Sequence, residues 1–337
     1  MNIAWLGIKG DFSNDKGYGV CRYMYELYNR LNEIQDLEVD KIEINKSLVG
    51  VNLETKHYDI IHTPYYLQYP DIKDVRDKRL IYFVTIHDFA PLVRTDVIDI
   101  EKRKDWLKSV SCILTDQIKD ADCLIVNSTQ TKEEALSLGC KESKIHVINL
   151  GIDERFVEAP IIIPERKNFK VGYMGRASKR KNVSMAVRAF AAIEKQDSIF
   201  EIWGNYSAEL AETVKVLSSS SKIILKGFAR ESNIINIYDS FDVFVFPSMY
   251  EGFGLPILEA QARGLPVIIC KDAIIPKEVR KFCIEVENES HMAQTFQDLK
   301  REGYNEKIRT EAMHYARNFS WAKTALRTSE LYKSYSR

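Results

Sequence analysis

Residues 243–260 read Val243-Phe244-Val245-Phe246-Pro247-Ser248-Met249-Tyr250-Glu251-Gly252-Phe253-Gly254-Leu255-Pro256-Ile257-Leu258-Glu259-Ala260. The opening apolar run of β-formers is that of a strand buried on both faces, and Pro247 ends it. A loop with two glycines follows, then a helix with Pro256 near its first position, where the missing N–H costs nothing. Strand, loop and helix in that order form the repeating unit of a parallel α/β sheet. In such sheets ligands meet the loops at the carboxyl ends of the strands. The glycines let the backbone of 252–255 approach a ligand, and the positive helix end suits an anionic phosphate. Glu251 lies on the loop, and Glu259 lies eight positions later, about one turn into the helix. Carboxylates there accept hydrogen bonds from paired hydroxyls, as on a sugar ring or a ribose. The same two residues also fit an ordinary loop and a helix-stabilising glutamate. The ordered motif is more specific than their spacing.

Outward from this stretch, the strand–helix rhythm runs the length of the chain. Apolar runs predict strands at 2–6, 39–44, 59–62, 80–86, 123–127 and 145–149, then at 169–174, 200–203, 222–226, 243–246 and 267–270. Helical patterns are expected at 20–31, 101–119, 131–138, 181–195, 208–217, 232–240 and 255–263, with a mostly helical tail at 305–336. Two prolines and a charge cluster in 158–168 mark a linker. A length of 337 residues suits two doubly wound domains. The expected division is 1–160, 161–318 and a terminal segment 319–337.

Composition narrows the function. Lys plus Arg and Asp plus Glu both count 48, so no net field draws nucleic acid. The N-terminus reads as a strand rather than a signal peptide, and no run reaches the 18 apolar residues of a membrane span. The six cysteines form no CxxC pair, which fits a reducing cytoplasm and argues against disulfides and zinc.

A second loop carries charge. After the strand at 169–174 comes Gly175-Arg176-Ala177-Ser178-Lys179-Arg180-Lys181-Asn182. Arg176 is suited to grip phosphate bidentately, and Lys181 supplies a compact charge at a helix start. Such cations stabilise a departing diphosphate, by about 3–4 kcal/mol for one well-placed donor; a solvated basic turn is the bland alternative. Asp120-Ala121-Asp122 is a literal DxD, but it precedes a strand and reads as a helix-to-strand turn.

In the first half, His87-Asp88 ends the strand at 80–86: a base with its orienting partner, a sugar-binding pair, or an Asp-capped turn. Gly17 and Gly19 lie in the loop after the first strand, with Arg22 where a dinucleotide fingerprint needs glycine. Tyr65, Tyr66 and Tyr69 offer aromatic faces for an acceptor sugar, or simply pack inside. The basic amphipathic stretch 101–119 fits a core-packed helix or a membrane-surface one.

The segment 247–266 resembles the E-x7-E signature of retaining glycosyltransferases of family 4, which have the GT-B fold. Gly175-Arg176 with Lys181-Asn182, His87-Asp88-Phe89-Ala90-Pro91 and the run 16–27 are similar to further motifs of that family. The resemblance implies two Rossmann-like domains facing a cleft, with a last helix crossing back to the first. It implies that Glu251 and His87 contact the donor sugar, and that Glu259 binds the ribose. Arg176 and Lys181 would hold the diphosphate, with backbone help from Gly175, Gly252, Phe253, Gly254 and Leu255, and from Gly17 and Gly19. The expected activity is transfer of a sugar from a nucleotide sugar, a substrate rather than a cofactor, to a glycan, glycolipid or small-molecule hydroxyl. No metal and no nucleic acid are expected, and the location is cytoplasmic with possible peripheral contact at the inner membrane face. A sugar-nucleotide epimerase or hydrolase and a non-catalytic sugar-nucleotide-binding subunit share the pattern. Ile275-Pro276-Lys277-Glu278-Val279 departs from the family by an added lysine, which leaves Glu278 without an assigned role.

Overall fold

Why the apolar runs become strands is plain from the burial of β3 (Ile60–Thr63), β5 (Cys123–Val126) and β10 (Val243–Phe246). Every residue of these three is buried, as expected when helices cover both faces of a parallel sheet. The structure is a computed structural model that describes residues 1–8, 19–44, 57–65, 80–98, 100–161, 168–193, 197–217 and 222–335. It divides into two units, Met1–Gly151 with Phe319–Arg337, and Ile152–Asn318.

The first unit holds β1 (Asn2–Ile8), α1 (Gly19–Leu31), β2 (Glu38–Ile44), β3, β4 (Ile81–Ile86), α2 (Ala90–Val93) and α3 (Ile100–Asp120). β5, α4 (Thr129–Ser137) and β6 (Ile145–Val147) follow, and α13 (Trp321–Ser334) returns from the far end of the chain. The strands are parallel in the order β2-β1-β3-β4-β5-β6. Val110, Leu114 and Ile118 of α3 pack beneath the sheet with Ile61, Val84 and Leu124, while Lys104 and Lys108 stay exposed. This helix therefore spends its apolar face on the core.

α13 is tied in by a buried polar network. Trp5 Nε1 donates to the Tyr332 hydroxyl (3.0 Å), which bonds His62 Nδ1. His62 Nε2 meets Thr85 Oγ1 at 2.8 Å, and Thr85 meets the Tyr23 hydroxyl at 3.0 Å. Burial, aided by nearby His87, lowers the His62 pKa to about 3, so its ring is neutral near pH 7. At the start of α13 the approach is close enough to demand glycine. A Cβ on Gly151 would lie 2.1 Å from the Trp321 amide nitrogen.

The second unit holds α5 (Arg155–Glu158), β7 (Phe169–Met174), α6 (Val183–Ala191), β8 (Ser198–Trp203), α7 (Ala208–Leu217), β9 (Lys222–Gly227) and α8 (Ile234–Asp239). β10, α9 (Leu255–Ala262), β11 (Val267–Cys270), α10 (Lys277–Arg280), β12 (Ile284–Val286), α11 (Glu289–Glu302) and α12 (Glu306–Ala316) complete it. Its parallel sheet has the order β12-β11-β10-β7-β8-β9. β7 and β10 are thus neighbours at the point where the winding reverses, the position where doubly wound sheets bind ligands.

The unit begins at Ile152, earlier than the break expected after residue 160. Arg263 explains the difference. Its guanidinium bonds the carbonyls of Phe156 (3.1 Å), Ala159 (2.7 Å) and Pro160 (2.9 Å), fastening that segment to the end of α9.

One device recurs at the amino ends of the strands. Asp59, Asp122 and Asp242 each accept the first amides of the neighbouring strand, from Asn2 (2.8 Å), Tyr82 (2.9 Å) and Lys170 (2.7 Å). Asp122 is the second acid of the DxD, so that carboxylate serves sheet register, between the end of α3 and the start of β5. Among the described residues no helix is long and apolar enough to cross a membrane, and no three His, Cys, Asp or Glu side chains converge as a metal site.

Candidate donor site at the carboxyl ends of β7 and β10

The loop after β10 is held from both sides. The Met249 amide donates to the Arg180 carbonyl (2.9 Å), the Ile274 amide to Met249 (3.0 Å), and the Glu251 amide to Ile274 (2.9 Å). Glu251 is therefore fixed before its side chain makes any contact. Gly254 then takes a left-handed φ of 111° as it leads into α9, a conformation closed to most side chains. Gly252 and Phe253 are buried, and Leu255 begins the helix.

The loop after β7 reaches the same place. Gly175 donates its amide to Trp203 (2.9 Å), and the exposed Arg176 side chain has no partner among the described residues. The 3₁₀ turn Lys179–Lys181 follows. From it, Lys181 Nζ donates to Glu251 Oε1 across 70 positions of sequence. Their side chains are 17% and 8% exposed, so the pair is largely removed from water.

Burial alone pushes the Glu251 carboxyl up, but the Lys181 ammonium and Arg180 guanidinium outweigh it and hold the group below the usual carboxylate range. Tyr173, at the floor of the site, is pushed the other way, by burial first and the Glu251 charge second. Its hydroxyl donates to the Arg176 carbonyl at 3.2 Å. Glu259, 6% exposed, accepts from the Tyr238 hydroxyl at 2.7 Å.

The structure thus brings Gly175, Lys181, Glu251, Gly252, Phe253, Gly254 and Leu255 together at the switch point, with Arg176 on the same loop. Arg180 and Tyr173 had no role in the sequence reading. The alternation of β7 gave a signal for Tyr173, which shares a buried face with Val171. For Arg180 no local signal exists, because three consecutive basic residues look alike.

In the first unit, His87 follows β4. Its Nε2 bonds the Pro64 carbonyl (2.9 Å), and the Asn127 amide donates to its own carbonyl (2.8 Å). Nε2 must carry the hydrogen in that contact, since a carbonyl only accepts. Burial lowers the His87 pKa, against the Pro64 bond and the Asp88 charge, which raise it. Tyr23 meets the ring edge-on at 4.7 Å. Asp88 caps the turn by accepting from the Ala90 amide (3.1 Å). Gly19 starts α1, exposed, and Tyr65 is half-buried against the core. Gly17, Tyr66 and Tyr69 lie outside the described residues.

The fold is the GT-B fold. Sucrose-phosphate synthase from Thermosynechococcus elongatus superposes with a TM-score of 0.79 at 19% identity, over 99% of this chain and 98% of that one. HepE from Anabaena, solved in complex with UDP-glucose, gives 0.76 at 17% identity over 99% and 100%. Residues 157–319 match the model of group 1 glycosyl transferases and 47–156 that of glycosyltransferase family 4, and the chain belongs to this family. D-inositol 3-phosphate glycosyltransferase from Mycobacterium leprae is 27% identical over 308 residues, 84% of this chain and 70% of that protein. An uncharacterized glycosyltransferase from Methanocaldococcus jannaschii is 27% identical over 231 residues, 62% of this chain but only 59% of the relative.

Proposed function

We propose that this glycosyltransferase moves a hexose from a nucleotide-sugar donor to a hydroxyl of a glycan, glycolipid or small-molecule acceptor, without a metal ion and with retention of anomeric configuration. In this reading the bond between the sugar's anomeric carbon and the diphosphate breaks with its electron pair left on the diphosphate, while the acceptor oxygen bonds that carbon and its proton passes to the departing diphosphate. Arg176 and Lys181 neutralise that charge, while Glu251 and His87 orient the sugar. Glu259 takes the ribose, and the backbone of 252–255, with Gly17 and Gly19, lines the donor. Tyr65, Tyr66 and Tyr69 are assigned to the acceptor. The reaction is placed in the cytoplasm, with peripheral membrane contact where the acceptor is a lipid.

The observation that carries this reading is the Lys181–Glu251 contact, which joins the cationic loop to the acidic one where β7 and β10 meet. That HepE was solved with UDP-glucose makes UDP-glucose the first donor to try. Purified protein is incubated with UDP-, GDP- and ADP-sugars and a panel of hydroxyl acceptors, with and without EDTA. Product formation that survives EDTA and keeps the donor's anomeric configuration supports the reading. An Arg176→Ala/Lys181→Ala double variant with undiminished turnover would refute it. Conversion of the nucleotide sugar without any acceptor would point to epimerisation or hydrolysis instead.

A further inference from the structure

Glu251 touches Lys181 and feels the charge of Arg180, and the donor reading assigns only Lys181 of the two to the diphosphate. If Lys181 serves the donor, a carboxylate that is 6% exposed loses the ammonium now bound to it. A buried carboxylate without a counter-charge takes up a proton. It then presents an O–H toward the sugar where an acceptor is required. Something must hold the charge in place once the lysine turns away.

Arg180 is placed to do so. It precedes Lys181 in the same 3₁₀ turn, its side chain is half-buried, and its carbonyl is bonded to the Met249 amide two residues before Glu251. That backbone bond fixes the turn to the acidic loop whatever Lys181 does. We infer that Arg180 is a positioning residue for the donor: Lys181 exchanges from Glu251 to the diphosphate, and Arg180 stays behind as the counter-charge that keeps Glu251 ionised to accept a sugar hydroxyl. The inference rests on the donor-site reading above. The charged or titratable groups near Glu251 include Lys181 and Arg180 on the turn and Tyr173 on β7. Burial pushes the Tyr173 phenol up, so it is neutral and cannot replace the arginine.

The test is calorimetric binding of UDP-glucose and of UDP alone between pH 4 and 8, for the wild type, Arg180→Gln, Arg180→Lys and Glu251→Gln. Affinity for the sugar nucleotide should fall in acid as Glu251 protonates. In Arg180→Gln that fall should move up by about one pH unit, and Arg180→Lys should restore it. UDP alone, which has no sugar for Glu251 to hold, should not distinguish the wild type from the two Arg180 variants, and Glu251→Gln, which frees Lys181, should bind it at least as tightly. Superimposable UDP-glucose curves for the wild type and Arg180→Gln would overturn the role of Arg180. So would equal weakening of UDP and UDP-glucose by Arg180→Gln at pH 8, which would make Arg180 a phosphate ligand. Undiminished UDP-glucose binding by Glu251→Gln, or binding of no UDP-, GDP- or ADP-sugar by the wild type, would instead bring down the donor-site reading itself. Should Arg180→Gln fail to fold, ¹³C NMR titration of Glu251 in the wild type decides. With UDP-glucose bound, the carboxyl must stay below the ordinary carboxylate range, and a midpoint above it refutes the proposal.

Discussion

Two buried ion pairs stand at opposite poles of the second unit, and they are built differently. Arg263 and Asp239 are joined by two bonds of 2.7 and 2.8 Å, and the guanidinium also holds three backbone carbonyls. Its side chain is 1% exposed, and its planar donors are matched by fixed acceptors. Lys181 and Glu251 meet through a single ammonium on a flexible stem at the carboxyl ends of the strands. The first pair is a staple, since no ligand could replace so many fixed partners. The second is a contact for which the diphosphate of the proposed donor would compete.

The largest expected effect would break the staple. Arg263→Ala should cost about 3–5 kcal/mol of stability, because it strands a buried Asp239 and three carbonyls; urea denaturation measures this, and a loss below 1 kcal/mol contradicts it. Lys181→Ala should act on the other quantity. It should raise the transfer barrier by about 3–4 kcal/mol, a 100- to 1000-fold loss in kcat, with a urea midpoint much closer to the wild type. If the two variants lose stability equally, the two pairs do not differ as described.

A third variant sharpens the comparison with a neutral staple. Tyr332→Phe removes the acceptor of the Trp5 indole and the partner of His62, and should cost about 1–3 kcal/mol in thermal or urea unfolding, with UDP-glucose affinity unchanged. The smallest effect concerns acid. The Glu251 pKa is depressed in the folded state, so its contribution to stability is present above the unfolded carboxylate value and is lost as pH falls through the folded one. Glu251→Gln should flatten that acid limb by at most about 1.4 kcal/mol per pH unit; denaturant midpoints from pH 3 to 7 show whether it does.

How much of this was legible follows from how local each signal is. The β10 strand, its proline stop and the proline-started helix α9 are patterns within a few residues, and the sequence predicts them closely. β12 is a three-residue strand, too short for any period to show. α11 was also missed, although Met292, Thr295 and Phe296 recur at helical spacing, because its charged surface lowers the apolar contrast. The boundary at Ile152 rests on Arg263, more than 100 positions away, and the Lys181–Glu251 contact spans 70. Such pairings carry no local mark. The motif resemblance placed the second pair at one site, whereas nothing in the sequence reading tied Arg263 to the chain entering its unit.

The return of α13 to the first sheet has a consequence for the nascent chain. His62 emerges from the ribosome 270 residues before Tyr332, the hydroxyl that closes its network. Until then the first sheet carries a histidine and an indole N–H without their final partner. Synthesis of the second unit must therefore finish before the first can settle, and a truncation at the C-terminal end should injure the half of the molecule that was made earliest.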